Sequence, residues 1–232
     1  MNRLESINGG ADRAALTECQ EDYLKQILLL QERHGKAGTK ELANRLRVRP
    51  ASVTEMLGRL DQLGLVEHVR YQGVTLTPSG RRVALEMLRH HRLLETFLVR
   101  ELGYSWDQVH EEAERLEHVI SERFETRIAE AMGHPTHDPH GDPIPGEDLQ
   151  MPPDESWVRL DALISGDRGR LVRVGAQDRE SLKTLQRLGV ALGGSIEFIE
   201  GDEASVSVKL GTIRRVLPVT LARRLWVERK NP

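Results

Sequence analysis

The sequence predicts a mainly α-helical protein with small β elements: a winged helix-turn-helix first, then a helical segment suited to dimerisation, then a small C-terminal β-barrel. Three observations predict this order. Apolar residues between Glu18 and Leu63 recur at helical spacing in three runs divided by glycines and a tight RVRP link. A short alternating stretch punctuated by Gly and Pro follows them directly. Towards the C-terminus, the alternating runs LVRVGA, SIEFIE, SVSVKL, RRVLPV and RLWVER are separated by glycines, as in a small antiparallel barrel.

The first helix is expected over residues 18–33, where Tyr23, Leu24, Ile27, Leu28 and Leu30 form one apolar face and Gly35 and Gly38 stop the run. Thr39 is expected to cap the second helix, whose apolar face is Leu42, Ala43 and Leu46. Pro50 suits the first position of a third helix running to about Leu63, after which Gly64 ends it. The stretch LVEHVRYQGVTLTPSG reads as two strands around Tyr71 to Gly73, a hairpin closed by Pro78 and Gly80. A long helix is expected from Arg81 to about Leu102 and another from Trp106 to about Met132, capped near Ser105, a pair able to form a dimer interface. The Pro-, His- and Gly-rich run GHPTHDPHGDPIPGEDLQMPP cannot be regular structure and is taken as the principal boundary. Beyond it, DRESLKTLQRLG reads as one helix inserted among the barrel strands, giving domains of residues 1–84, 85–153 and 154–232.

Charge is unevenly divided along the chain. Residues 36–82 carry nine Lys and Arg against four acidic residues, whereas residues 86–155 carry seventeen acidic residues against six arginines. A basic segment of net +5 followed by an acidic, histidine-bearing one of net −11 suits a phosphate-binding module joined to a cation-binding module, although solvated helix faces would give the same balance. The single Cys19 excludes a disulfide framework or a thiolate zinc cluster and points to a reducing compartment. No apolar run approaches the roughly 20 residues a bilayer span needs, and MNRLESINGG lacks a signal-peptide core, so a cytoplasmic protein without membrane contact is expected.

On the third helix Val53, Met56, Leu57 and Leu60 should face inward and leave Ser52, Thr54, Glu55 and Arg59 for bases and phosphates of double-stranded DNA. Arg47, Arg49, Arg59, Arg70 and Tyr71 are expected on phosphates, and Thr39, Pro50 and Ala51 complete the DNA-facing set. In the run HEEAERLEH, residues His110, Glu114, Glu117 and His118 stand on one side of a helix, where carboxylates and imidazoles repel or are wasted unless a cation lies among them. His91 and Glu95 form a similar i, i+4 pair on the preceding helix and could converge with His110. Such an oxygen and nitrogen set suits Mn(II) or Fe(II) better than Cu(I) or structural zinc. His134, His137 and His140 could hold a surface ion, but solvated imidazoles of a loop are the preferred reading.

Taken together, EDYLKQI at 21–27, ELANRLRVRPASVTEMLGRLDQLGLV at 41–66, LTPSGRR at 76–82, HHRLLETFL at 90–98, VHEEAERLEHVISE at 109–122 and GDPIPG at 141–146 resemble the iron- and manganese-dependent repressors of the diphtheria toxin repressor and manganese transport regulator type. That resemblance implies a winged-helix DNA-binding domain, a helical dimerisation domain and an SH3-like barrel. It implies a primary metal site of Asp22, Glu114, Glu117 and His118, and an ancillary site of His91, Glu95 and His110 with barrel ligands near Asp178, Glu180 and Ser181. Carboxylates at Asp22 and Glu114 match the manganese branch; Lys25, where that branch has a ligand Glu, departs from it.

The implied function is a homodimeric repressor of metal-uptake genes with Mn(II) as corepressor. An Fe(II)-dependent repressor of iron homeostasis is the alternative. A di-metal helical-bundle enzyme is a further rival, disfavoured because no helical ligand forms a Glu-x-x-His motif. No catalytic role and no small organic substrate are expected, although a winged-helix regulator of organic effectors would share the DNA-binding half.

Overall fold

The computed structural model describes residues 16–69, 73–153, 156–175 and 178–230. By its internal contacts the chain divides into two compact units, residues 1–90 with 145–150 and residues 91–144 with 151–232.

The first unit begins with α1 (Glu18–His34), nucleated by a capping box in which Thr17 Oγ1 accepts from Gln20 N and Gln20 Oε1 accepts from Thr17 N. Gly35, at φ 76°, ends it in the left-handed region. Helix α2 (Thr39–Leu46) is preceded by Gly38 as its cap residue, so Thr39 is the first helical residue and not the cap that its side chain suggested. Arg47 closes α2 at φ 55°, a left-handed conformation that a residue with a Cβ adopts only at a cost. Helix α3 (Pro50–Gln62) starts on Pro50 and buries Val53, Leu57 and Leu60. Strands β1 (Val66–Val69) and β2 (Gly73–Leu76) pair antiparallel with Val66 opposite Leu76.

Pro78 and Gly80 do not close this hairpin; they open α4 (Pro78–Arg100), with Thr77 Oγ1 accepting from Gly80 N. Gly80 is required there, because a Cβ would lie 1.9 Å from the Leu65 carbonyl oxygen. The proline starts the helix for the reason it suits any first turn, namely that its missing N–H has no intrahelical partner to lose.

In the second unit, the expected helix from Trp106 to Met132 is two: α5 (Val109–Leu116) and α6 (Glu122–Ala131). The break has a local cause. Ser121 adopts an extended conformation, φ −87° and ψ 155°, and caps α6 by accepting from Phe124 N. Leu93, Leu94, Leu98, Val109, Ala113, Ile128, Ala129 and Ile144 form one apolar core here.

The barrel domain is a six-stranded antiparallel sheet: β3 (Val158–Arg159), β4 (Arg168–Val174), β5 (Ser195–Gly201), β6 (Ser205–Leu210), β7 (Ile213–Pro218) and β8 (Leu225–Arg229), in the order β3-β8-β4-β5-β6-β7. Helix α7 (Arg179–Arg187) is inserted between β4 and β5, and the short α8 (Val219–Ala222) precedes β8. Leu171, Val174, Ile196, Phe198, Val208, Leu217, Leu225 and Val227 fill its core together with Leu182 and Leu185 of α7. Among the described residues, no helix is long and apolar enough to cross a membrane.

The Pro- and His-rich stretch is irregular, as its composition dictates, yet it is not a solvated linker. Asp138, His140, Asp142 and Ile144 are buried. Asp138 Oδ1 accepts from both His140 N and Asp142 N, and Val174 N of β4 donates to His140 O at 2.7 Å. Gly141 sits so near β4 that a Cβ would meet Val172 O at 2.0 Å.

Candidate metal centre

Four ionisable side chains of the second unit meet at the junction of α4 and α5. His91 and Glu95 are one helical turn apart on α4, so both point at the N-terminal half of α5, which presents His110. His91 Nε2 lies 3.1 Å from Glu95 Oε1 and 3.0 Å from His110 Nδ1, while His110 Nδ1 is also 3.1 Å from Glu95 Oε1. The other ring nitrogen of His91 is 2.6 Å from Glu117 Oε2. Glu117 terminates α5 as its C-cap residue, so Glu117 and His118 leave the helix proper, with His118 Nε2 3.5 Å from Glu117 Oε1.

Glu95 and Glu117 are 0% exposed, an expensive setting for two carboxylates unless cations or strong donors surround them. Burial acts to raise the Glu95 carboxyl, but the His91 charge and hydrogen bonding from His110, His140 and His91 outweigh it and hold the group well below the usual carboxylate range. Glu114 lies at the exposed edge, 3.5 Å from His110 Nε2.

The donor set is chemically coherent for a divalent cation. His91, Glu95 and His110 offer ligand atoms all within 4.8 Å of one another. The atoms are imidazole nitrogen and carboxylate oxygen, the set that suits Mn(II) and Fe(II), and Cys19 stands exposed on α1 of the other unit. Asp22 also belongs to α1, half-buried, with Lys25 Nζ 3.9 Å from its Oδ1.

Asp178 caps α7, its Oδ1 accepting from Ser181 N at 2.9 Å and its Oδ2 paired with Arg224 at 2.8 Å. Neither Asp178 nor Glu180 joins the groups of converging ligand atoms among the described residues, and Glu180 is exposed.

Sequence reasoning missed two neighbours of this cluster. Asp138 was not singled out, and His140, expected to be a solvated imidazole, is 0% exposed, with Nδ1 3.8 Å from Glu95 Oε2 and its ring stacked on Trp106. Burial, then the Asp142 and Glu95 charges, push the Asp138 carboxyl up to about 8. Burial alone would lower His140, but Glu95, Asp138 and Asp142 raise it to about 9. The available signal was a D-x-H-G run whose glycine takes φ 83°.

On α3 of the first unit Pro50, Ala51, Ser52, Thr54, Glu55 and Arg59 are exposed, as are Arg47 and Arg49 before them; Met56 and Thr39 are half-buried. Glu55 does not stand alone on that face, because Arg59 Nη2 donates to its Oε1 at 2.5 Å. Arg70 and Tyr71 lie outside the described residues.

Comparison with known proteins gives three family matches along the chain. Residues 15–74 match the iron-dependent repressor N-terminal DNA-binding domain, residues 77–146 the iron-dependent repressor metal-binding and dimerisation domain, and residues 158–229 the FeoA domain. The chain is 38% identical over 157 residues to the iron-dependent repressor IdeR of Mycobacterium leprae, covering 65% of this chain and 68% of that protein. It is 32% identical over 193 residues to the diphtheria toxin repressor of Corynebacterium efficiens, covering 79% and 84%. A solved manganese-dependent transcriptional repressor in complex with manganese superposes with a TM-score of 0.84 at 41% identity, covering 91% of this chain and all of that one.

Proposed function

Because this chain belongs to the iron-dependent repressor family of metal-dependent DNA-binding repressors, we propose that it is a homodimeric repressor of metal-uptake genes that binds operator DNA when loaded with Mn(II). The observation that carries this reading is the cluster of buried His91, Glu95 and Glu117 with half-buried His110, a nitrogen and oxygen donor set without sulfur. Fe(II) would be accepted by the same donors, and iron-dependent relatives keep that corepressor as the alternative.

We assign residues 1–84 to DNA binding, 85–153 to metal binding and dimerisation, and 154–232 to the SH3-like barrel, all acting in the cytoplasm. In the primary site, Asp22 of the first unit would act with Glu114, Glu117 and His118 of the second. In the ancillary site, His91, Glu95 and His110 would be the ligands, with any barrel contribution from Asp178, Glu180 or Ser181. Lys25, beside Asp22, would supply a fixed positive charge where a further carboxylate would favour a second primary-site ion.

The corepressor supplies positive charge that neutralises carboxylates drawn from both halves of the chain, and it favours the DNA-binding arrangement only through its greater affinity for that arrangement. Ser52, Thr54 and Glu55 would meet base edges, and Arg47, Arg49 and Arg59 would meet phosphates, with two recognition helices about 34 Å apart or a multiple of that.

The test is DNA binding by metal-stripped protein, re-loaded in turn with Mn(II) and Fe(II), on a duplex selected from a random pool, with sedimentation to follow the dimer. Equal binding by the EDTA-stripped and loaded forms would refute metal dependence.

A further inference from the structure

Helix α3 of the first unit turns one stripe of its surface outward. Val53, Leu57 and Leu60 are buried, while Ala51, Glu55 and Arg59, at successive steps of four, lie on the opposite side and are exposed. Glu55 therefore stands in the middle of the outward face. Thr54, at its flank, donates its hydroxyl hydrogen back to Pro50 O at 3.2 Å, so it meets a base only as an acceptor.

A carboxylate at that position is the feature to explain, because phosphates repel it. Arg59 offsets the repulsion: its Nη2 donates to Glu55 Oε1 at 2.5 Å, and the two side chains together carry no net charge. Arg59 is 60% and Glu55 67% exposed, so the ion pair adds little to folding and both groups stay within reach of a partner. With Oε1 held, Oε2 has no hydrogen-bond partner among the described residues. A carboxylate can only accept, and the major-groove edges of DNA offer it two donors, cytosine N4 and adenine N6. Adenine places the N7 lone pair beside its donor, which repels a carboxylate, whereas cytosine places a C–H there.

We propose that Glu55 is a specificity-determining residue that reads cytosine: its Oε2 accepts from the N4 amino group of one C·G pair in each operator half-site, while Arg59 holds Oε1 as the positioning residue. The inference rests on the DNA-binding reading of α3 given above. Arg59 uses one of its five N–H donors on Glu55 and keeps the others for the phosphate assigned to it.

The experiment enriches duplexes from a random pool with Mn(II)-loaded full-length protein. Fluorescence anisotropy then measures affinity for the selected duplex and for versions with each base pair exchanged in turn. Wild type is compared with Glu55→Gln, Glu55→Ala and Arg59→Ala, all on an exposed helix face, with thermal denaturation to verify folding. The expected result is one position per half-site where wild type prefers C·G to T·A by about 5- to 150-fold, the usual effect of one mismatched pair. Thymine there turns an acceptor, O4, toward the carboxylate. Glu55→Gln, whose amide can donate to that O4, should lose or invert the preference at this position alone, and Glu55→Ala should lose it. Arg59→Ala should lower the same preference as well as overall affinity, whereas a purely phosphate-binding or structural arginine lowers affinity for every duplex equally. Identical base preferences in wild type and both Glu55 variants would overturn the inference and leave DNA binding standing. A preference that changes at a pair without cytosine would overturn the choice of base. Failure of the loaded wild type to enrich any duplex would remove the DNA-binding reading and this inference together.

Discussion

Replacing Glu117 with Gln isolates the charge of one buried carboxylate while keeping its volume. Its Oε2 is 2.6 Å from His91 Nδ1 and the residue is fully buried, so the substitution turns a charge-assisted hydrogen bond into a neutral one, a loss of about 1 kcal/mol for the metal-free protein. The effect on the loaded protein is larger. Removing a ligand should weaken the metal at least as much as removing a residue that supports one, which costs 10- to 100-fold, and the upper figure is used here.

At a Mn(II) concentration of about 100 times the wild-type Kd, metal stabilises the wild type by about 2.7 kcal/mol. With Kd raised about 100-fold, the same concentration gives Glu117→Gln only about 0.4 kcal/mol. For a chain of this size, about 2–4 °C per kcal/mol converts these values to a Tm rise of about 5–11 °C in wild type and about 1–2 °C in the variant. Differential scanning fluorimetry across a Mn(II) titration reads both directly, and DNA binding followed in parallel should need about 100-fold more Mn(II) in the variant. A variant with the wild-type Mn(II) midpoint and the full Tm rise would show that Glu117 serves only His91.

Gly80→Ala drives a Cβ to 1.9 Å from Leu65 O, and we expect it to cost about 3 kcal/mol in urea unfolding; a change below about 0.5 kcal/mol would contradict the close helix-to-backbone approach. Arg47→Gly relieves a left-handed residue worth about 1–2 kcal/mol while adding about 0.5–1 kcal/mol of glycine entropy, so stability should hold or rise slightly. In the same variant the slope of log K against log salt for DNA binding should become shallower by about 0.9 per subunit, and an unchanged slope would take Arg47 off the phosphates. Ser121→Ala removes the cap that separates α6 from α5 and should destabilise by about 1 kcal/mol by thermal or urea denaturation; no loss would mean that something other than this cap breaks the helix.

Sequence by itself determined whatever is written in local spacing and residue chemistry. The three-and-four periodicity of Leu24, Ile27 and Leu28, Pro50 at the start of α3, and the alternation in SIEFIE and SVSVKL each specify an element without reference to distant residues, and all appear where expected. His91 and Glu95, one turn apart on α4, were legible as a pair for the same reason, whereas Glu117 leaves α5 as its C-cap residue and is buried while Glu114 stays exposed, which helical spacing alone did not foretell. Local chemistry misled where two local signals competed. Thr39 lost the cap position to Gly38, Pro78 and Gly80 opened a helix, and Ser121 split a run whose apolar period alone would have continued.

Tertiary structure alone decided which imidazoles and carboxylates lose their water. Nothing within HPTHDPHGDP distinguishes His140 from His134, yet His140 is fully buried beside Glu95 and Trp106, and His134 is exposed. That difference comes from Gly141 lying against β4, about 30 residues further along the chain, and from α4 running past the loop. Burial is a property of what the rest of the chain places around a residue, and it governs both the cost of a charge and its demand for a cation.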